Sequence, residues 1–79
     1  MFDQWQTINA RRGRLWVQLR LQTDLLGDWV VITTQGQQGR LEASIKTLAF
    51  PHFNDAKRMF GHILKTFRGY RKTTSKITT

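Results

Sequence analysis

Hydrophobic and polar residues alternate along the segment from Arg14 to Thr23. The aliphatic positions fall on one face of an extended chain: Leu15, Val17, Leu19 and Leu21. Polar residues and Trp16 fall on the other face. A period of two residues with one polar face is typical of a half-buried antiparallel strand, so this segment is predicted to be a strand with its leucines in the core.

Two further strands are predicted downstream, each after a polar turn. The first turn, Asp24–Asp28, contains Gly27, which can adopt a positive φ, and β-branched and aromatic residues follow from Trp29 to Thr34. A loop rich in glutamine and glycine occupies residues 35–39. The third strand follows it, with alternating apolar positions at Leu41, Ala43 and Ile45.

The region after Pro51 has helical periodicity. Asn54 is a suitable N-cap, Asp55 places negative charge at the helix start, and Gly69 stands where helices commonly end in a left-handed residue. The apolar positions recur at spacings of three and four: Ala56, Met59, Phe60, Ile63, Leu64 and Phe67. The order of elements predicts an α+β fold, with a small antiparallel sheet of three or four strands packed against one C-terminal amphipathic helix.

A chain of 79 residues is long enough for one domain and one modest core. Residues 1–13 are expected to be an N-terminal segment that ends in a basic turn, and the folded domain spans residues 14–70. Residues 71–79 contain one aliphatic and no aromatic side chain. A basic flexible tail is therefore predicted there.

The chain is strongly basic, with 13 Lys and Arg against 5 Asp and Glu and a net charge of +8. Such an excess indicates an anionic partner; nucleic acid is the first candidate, ahead of an acidic protein and an anionic membrane. On the predicted helix, no acid follows Asp55, and one arc holds Lys57, Arg58, His62, Lys65 and Arg68. This one-sided charge favours an external polyanion, and the alternative is a solvated helix face.

Two other basic groups flank the predicted core. The first is Arg11, Arg12 and Arg14, and the second is Arg71, Lys72 and Lys76. Phosphate contacts from such groups give affinity and salt dependence without reading a base sequence. Trp16 lies on the polar face of its strand beside Arg20, where it either stacks on a base or packs against Trp5 or Phe2 of the N-terminal segment.

The residues that catalysis commonly uses are scarce. The chain has no cysteine, its two histidines, His52 and His62, are ten residues apart, and its serines are Ser44 and Ser75. We therefore expect neither an enzyme, nor a bound metal, nor a cofactor. No apolar run approaches the length of a membrane span, and the first residues lack the pattern of a signal peptide, so a cytoplasmic protein without a membrane partner is expected.

Several short patterns in the chain resemble the WGR domain family, which is found in DNA-dependent poly(ADP-ribose) polymerases and in small bacterial proteins. The patterns are Asp24-Leu25-Leu26-Gly27-Asp28-Trp29 after an alternating strand, Gly36 and Gly39, Phe53 and Ala56 at the start of a helix, and Gly69-Tyr70 at its end. They cover roughly Leu15 to Arg71, so residues 14–70 are identified as a WGR-like domain. The resemblance implies an antiparallel sheet crossed by one helix, and DNA binding.

The Trp-Gly-Arg signature of that family is incomplete in this chain. Counted from Trp29, the triplet falls on Gln35-Gly36-Gln37, and an alternative frame gives Gln38-Gly39-Arg40. The tryptophan is missing in both frames. Because the family's signature tryptophan and arginine contact DNA ends and neighbouring domains, end recognition is not carried over, and Arg40 is the cation that the resemblance assigns to this loop.

Together these observations predict a non-catalytic nucleic-acid-binding module, with DNA favoured over RNA. The residues expected to contact nucleic acid are Arg11, Arg12, Arg14, Arg40, Lys57, Arg58, Lys65, Arg68, Arg71 and Lys72. The alternative is a protein-interaction or regulatory accessory module that docks on an acidic partner through the sheet or the glutamine-rich loop. The oligomeric state stays open, since the edge strands of a small sheet could pair between chains.

Overall fold

Five strands and one helix make up the part of the chain that the structure describes. The structure is a computed structural model that describes the backbone of residues 5–78 and the side chains of residues 5–73. The elements in chain order are β1 (Trp5–Arg12), β2 (Leu15–Thr23), β3 (Trp29–Gln37), β4 (Ala43–Phe50), α1 (Phe53–Thr66) and β5 (Arg71–Thr78).

The strands form one antiparallel sheet in the order β4-β3-β2-β1-β5. Helix α1 packs on one face of this sheet, over β2, β3 and β4. The predicted α+β fold, a small antiparallel sheet against one C-terminal helix, is confirmed. The sheet has five strands, whereas the sequence predicted three or four.

The two additional strands come from segments that the sequence pattern did not assign to the sheet. Residues 5–12 form β1, and residues 71–78, where a flexible tail was predicted, form β5 beside β1. The prediction for the tail relied on the scarcity of apolar side chains. Strand pairing is made by backbone hydrogen bonds, and the threonines of Arg71–Thr78 are β-branched residues that favour an extended backbone.

The core lies between α1 and the covered face of the sheet, by which we mean the face that packs on α1. Its buried residues are Ile8, Ala10, Val17, Leu19, Leu21, Val31, Ala56 and Phe60. Cross-strand pairs place Leu19 opposite Thr33 and Leu21 opposite Val31 on this face. The prediction for β2 is therefore confirmed for Val17, Leu19 and Leu21, but Leu15, the first residue of the strand, is 43% exposed.

The third predicted strand has the right period but begins later and presents its early residues to solvent. Leu41 precedes β4 and is fully exposed, and Ile45 is 70% exposed on the face away from α1. The half-buried Leu48 and Phe50 pair with Val31 and Trp29 on the covered face. The apolar residues of β4 that face the helix are therefore Leu48 and Phe50, which come later in the strand than the predicted positions.

Helix α1 begins and ends earlier than the sequence predicted. Its N-cap is His52, which makes no side-chain capping bond, so the predicted cap at Asn54 is wrong. The C-cap is Phe67, and Gly69 does not adopt a positive φ. The predicted apolar stripe is confirmed, since Ala56 and Phe60 are buried and the remaining stripe residues pack against the core: Met59, Ile63, Leu64 and Phe67.

The turn between β2 and β3 has the predicted chemistry. The carboxylate of Asp24 accepts hydrogen bonds from the backbone N–H of Leu26 at 2.9 Å and of Asp28 at 3.0 Å. Gly27 has a φ of 88°, a left-handed backbone conformation that residues other than glycine rarely adopt. The hairpin between β2 and β3 is therefore closed by the turn residues that the sequence indicated.

Candidate nucleic-acid interface

The direction of the strands brings most of the described cations to one end of the sheet. Strand β1 ends, β2 begins, β3 ends and β4 begins at this end, and α1 also finishes there before β5 starts. We call the cations of this region the basic end: Arg11, Arg12, Arg14, Arg40, Lys65, Arg68, Arg71 and Lys72. Three segments that are distant in sequence thus supply one cationic surface.

Several contacts join these segments at the basic end. The backbone N–H of Gln38 donates to the carbonyl of Arg14 at 2.7 Å, which joins the loop after β3 to the turn between β1 and β2. The Arg11 guanidinium donates to the side-chain carbonyl of Gln38. Arg12 lies against the chain after α1, because a Cβ at Gly69 would be 3.3 Å from its Nη1 atom.

The carboxylates are distributed in the opposite way. Among the described residues, Glu42 is the one carboxylate at the basic end, while Asp24, Asp28 and Asp55 lie at the other end, in the β2–β3 turn and the first turn of α1. No described Lys or Arg nitrogen lies within 4.0 Å of a carboxylate oxygen. The cations of the basic end are therefore not neutralised by ion pairs within this part of the chain.

Two predicted site residues lie apart from the basic end. Lys57 and Arg58 are in the first half of α1, seven to eight residues before Lys65, which is about 11 Å along a helix. Together with Lys65 of the basic end, and with Asn54, Gly61 and His62, these cations surround a shallow depression of about 520 Å³ on the exposed side of α1. Lys57 Nζ also lies 6.0 Å from the centre of the Phe53 ring. We call Lys57 and Arg58 the basic strip of α1; it lies on the exposed side of the helix, and the helix runs from it towards the basic end.

The segment that the resemblance aligns with the Trp-Gly-Arg signature lies at the end of β3 and in the loop that follows, next to the basic end. Gln35, Gly36 and Gln37 are the last residues of the strand, and Arg40 lies in the loop that follows. Trp16 and Arg40 contribute to the lining of an open depression of about 400 Å³ that also includes Gly36, Glu42 and Tyr70. Arg40 was assigned to this loop by the resemblance, whereas the proximity of Trp16 and Gly36 was not predicted from the sequence.

The contact between Trp16 and Gly36 could have been inferred from one signal. A glycine inside a strand commonly marks the close approach of another group. Here the two residues are direct cross-strand partners, and the indole occupies the space above Gly36. The predicted packing partner Trp5 lies at the opposite end of β1, and Phe2 is outside the described residues. The indole packs on β3 instead, and this contact leaves stacking on a base a prediction.

No model of a protein family matches the chain, and no curated protein or solved structure is significantly similar to it. The resemblance to the WGR family therefore stays a prediction from the residues quoted above. Within the described residues, no helix is long and apolar enough to cross a membrane. No group of three or more His, Asp or Glu side chains in this part of the chain is arranged to hold a metal ion.

Proposed function

We propose that this chain is a non-catalytic nucleic-acid-binding module that contacts phosphates through its basic end and through the basic strip of α1. The observation that carries the proposal is the charge balance of the basic end, where eight described cations accompany one described carboxylate. DNA is favoured over RNA on the strength of the resemblance to the WGR family.

The physical argument is electrostatic. Cations collected from separate segments repel one another, and Arg11 and Arg71 are direct cross-strand partners, a pairing that destabilises a sheet when both charges are alike. A bound polyanion relieves this repulsion, and each phosphate neutralised releases condensed counterions. The proposal therefore requires an affinity that falls as the salt concentration rises.

A salt titration with charge-matched variants tests the proposal. The affinity of the full chain for a labelled DNA duplex is measured at several salt concentrations, and the logarithm of the binding constant is expected to fall by about 0.9 per phosphate contact for each tenfold increase in salt. Arg14→Gln with Arg40→Gln removes two charges from the basic end, and the slope is expected to become shallower by about 1.8.

The matched control removes the same charge elsewhere. Arg20 and Lys46 lie in the middle of β2 and β4, away from the basic end, so Arg20→Gln with Lys46→Gln is expected to leave the slope nearly unchanged. Equal losses in the two double variants would contradict a localised interface. The absence of binding to duplex, nicked or single-stranded DNA and to RNA at low salt would overturn the proposal.

One observation favours the second candidate, a protein-interaction module that docks on an acidic partner. Leu41 is fully exposed beside Arg40 in the loop between β3 and β4, and arginine is a residue type that protein interfaces favour. Leu41→Ser separates the candidates. Under the nucleic-acid proposal this variant keeps its affinity for DNA, whereas a docking module loses affinity for its acidic partner.

A further inference from the structure

The face of the sheet opposite α1 carries a second set of binding groups. We call it the open face, since no described element packs on it. The cross-strand pairs Arg11–Trp16 and Trp16–Gly36 place these three residues side by side on the open face, at its border with the basic end. Of the open-face residues described in β1 to β4, none is acidic.

Trp16 is held against the sheet and is also accessible. A Cβ at Gly36 would lie 2.7 Å from Cζ2 and 2.9 Å from Cε2 of the indole, so the ring occupies space that every other residue type at position 36 would fill. The side chain is half-buried, and the rest of its surface faces solvent. An aromatic ring fixed in this way has little conformational freedom to lose when a planar ligand stacks on it.

The groups around the indole are those that recognise a nucleotide. Trp16 borders an open depression of about 380 Å³ whose polar lining comes from Asn9, Arg11, Gln38 and Thr73. The Thr73 hydroxyl donates to the carbonyl of Asn9 at 3.3 Å. Amide side chains can donate to and accept from the edge of a base, and a guanidinium binds phosphate. One site thus contains an aromatic surface on which a base can stack, amide groups that can hydrogen-bond to the edge of that base, and a cation for its phosphate.

A stacking surface of this kind distinguishes single strands from duplexes. In a duplex both faces of each internal base are stacked on neighbouring bases, whereas in a single strand a base can turn outwards and stack on an aromatic side chain. We propose that the open face holds an unpaired nucleotide of single-stranded nucleic acid, with the base on Trp16 and its phosphate on Arg11. This inference rests on the proposed function and specifies the strand form.

The test compares single-stranded and duplex ligands of the same length. The full chain and its Trp16→Leu variant are titrated with fluorescein-labelled 12-nucleotide single-stranded DNA, single-stranded RNA and duplex DNA. Because stacking of one base contributes about 1 to 3 kcal/mol, Trp16→Leu is expected to weaken single-strand binding by about 5- to 150-fold and duplex binding by less than twofold. Comparing the affinities for single-stranded DNA and single-stranded RNA shows which of the two nucleic acids the site prefers.

Two control variants separate stacking from folding. Trp16→Phe keeps an aromatic ring and is expected to retain most of the single-strand affinity. Trp29→Phe changes a tryptophan that packs on Phe53 at 4.8 Å between ring centres, away from the open face, and is expected to change neither affinity. The chain has three tryptophans, so the double variant Trp5→Phe with Trp29→Phe keeps Trp16 as its single tryptophan. The fluorescence of Trp16 in this variant is expected to be quenched when the single strand binds.

The possible outcomes distinguish this inference from the proposed function. If Trp16→Leu leaves single-strand affinity unchanged, or lowers single-strand and duplex affinity equally, the inference is overturned while duplex binding still supports the proposed function. If no nucleic acid binds, both are overturned. The inference is also overturned if sedimentation shows that the open faces of two chains pair through Trp16 and that the oligonucleotide does not separate them.

Discussion

The two faces of the sheet differ in what their side chains contact. On the covered face, aliphatic residues of β1, β2 and β3 are buried against α1, and Leu21 has no exposed surface. On the open face, most described residues are half-buried or exposed, and Val30, at 6% exposure, is the buried exception. The contacts between α1 and the covered face therefore hold the fold, and no described element occupies the open face.

Truncating one aliphatic side chain on each face tests whether the covered face contributes more to the free energy of unfolding than the open face. Leu21→Ala leaves a cavity in the covered face and is expected to lower the free energy of unfolding by about 2 to 5 kcal/mol. Ile45→Ala removes an aliphatic side chain that is 70% exposed on the open face, and it is expected to change that free energy by less than about 0.5 kcal/mol. Urea titrations followed by circular dichroism measure both values, and similar losses would contradict the comparison.

A smaller effect on the free energy of unfolding is expected from substituting one glycine in α1 and one glycine on the open face. Gly61 lies in α1 with no atom within 4 Å of an added Cβ, so Gly61→Ala is expected to raise the free energy of unfolding by about 0.4 to 1 kcal/mol. Gly36→Ala places a Cβ 2.7 Å from Trp16 Cζ2 and displaces the indole. We expect it to give no such gain and to alter tryptophan fluorescence; equal gains in the two variants would show that the indole moves freely.

The polar groups of the open face are expected to contribute least to stability. Arg20 Nη2 donates to Gln22 Oε1 at 2.8 Å, and this hydrogen bond is exposed. Because solvent replaces such a bond, Arg20→Ala is expected to change the free energy of unfolding by less than about 0.5 kcal/mol in the same urea titrations. A loss above about 1 kcal/mol would mean that the Arg20 stem covers Val30 and that the open face also stabilises the fold.

The elements with strong side-chain patterns could be predicted from the sequence. The stripe from Ala56 to Phe67 and the alternation of Val17, Leu19 and Leu21 each reflect burial on one face, so the helix and β2 were recognised. Strands β1 and β5 were not recognised as strands. In β1 only Ile8 and Ala10 are buried, and β5 joins the sheet through backbone pairing, which has little effect on the pattern of apolar residues.

The candidate site could be predicted in its parts but not in its arrangement. Three separate basic groups were visible in the sequence, namely the arginines before β2, the basic arc of the helix and the cations after it, as was the possibility that Trp16 lies outside the core. Their proximity depends on the direction of every strand and on the pairing of β5 with β1, which involves contacts across more than 60 residues. Local patterns carry no information about such long-range pairing.

The position of β5 has a consequence for the order of folding. The hairpins β1–β2, β2–β3 and β3–β4 each join neighbouring segments, whereas β5 must find β1 across nearly the whole described chain. Closing a long loop is entropically unfavourable, so pairing of this kind is slow compared with local hairpins. We therefore expect β5 to pair after the local hairpins, and a chain in which β5 has not yet paired would lack the Arg11–Arg71 pair at its basic end.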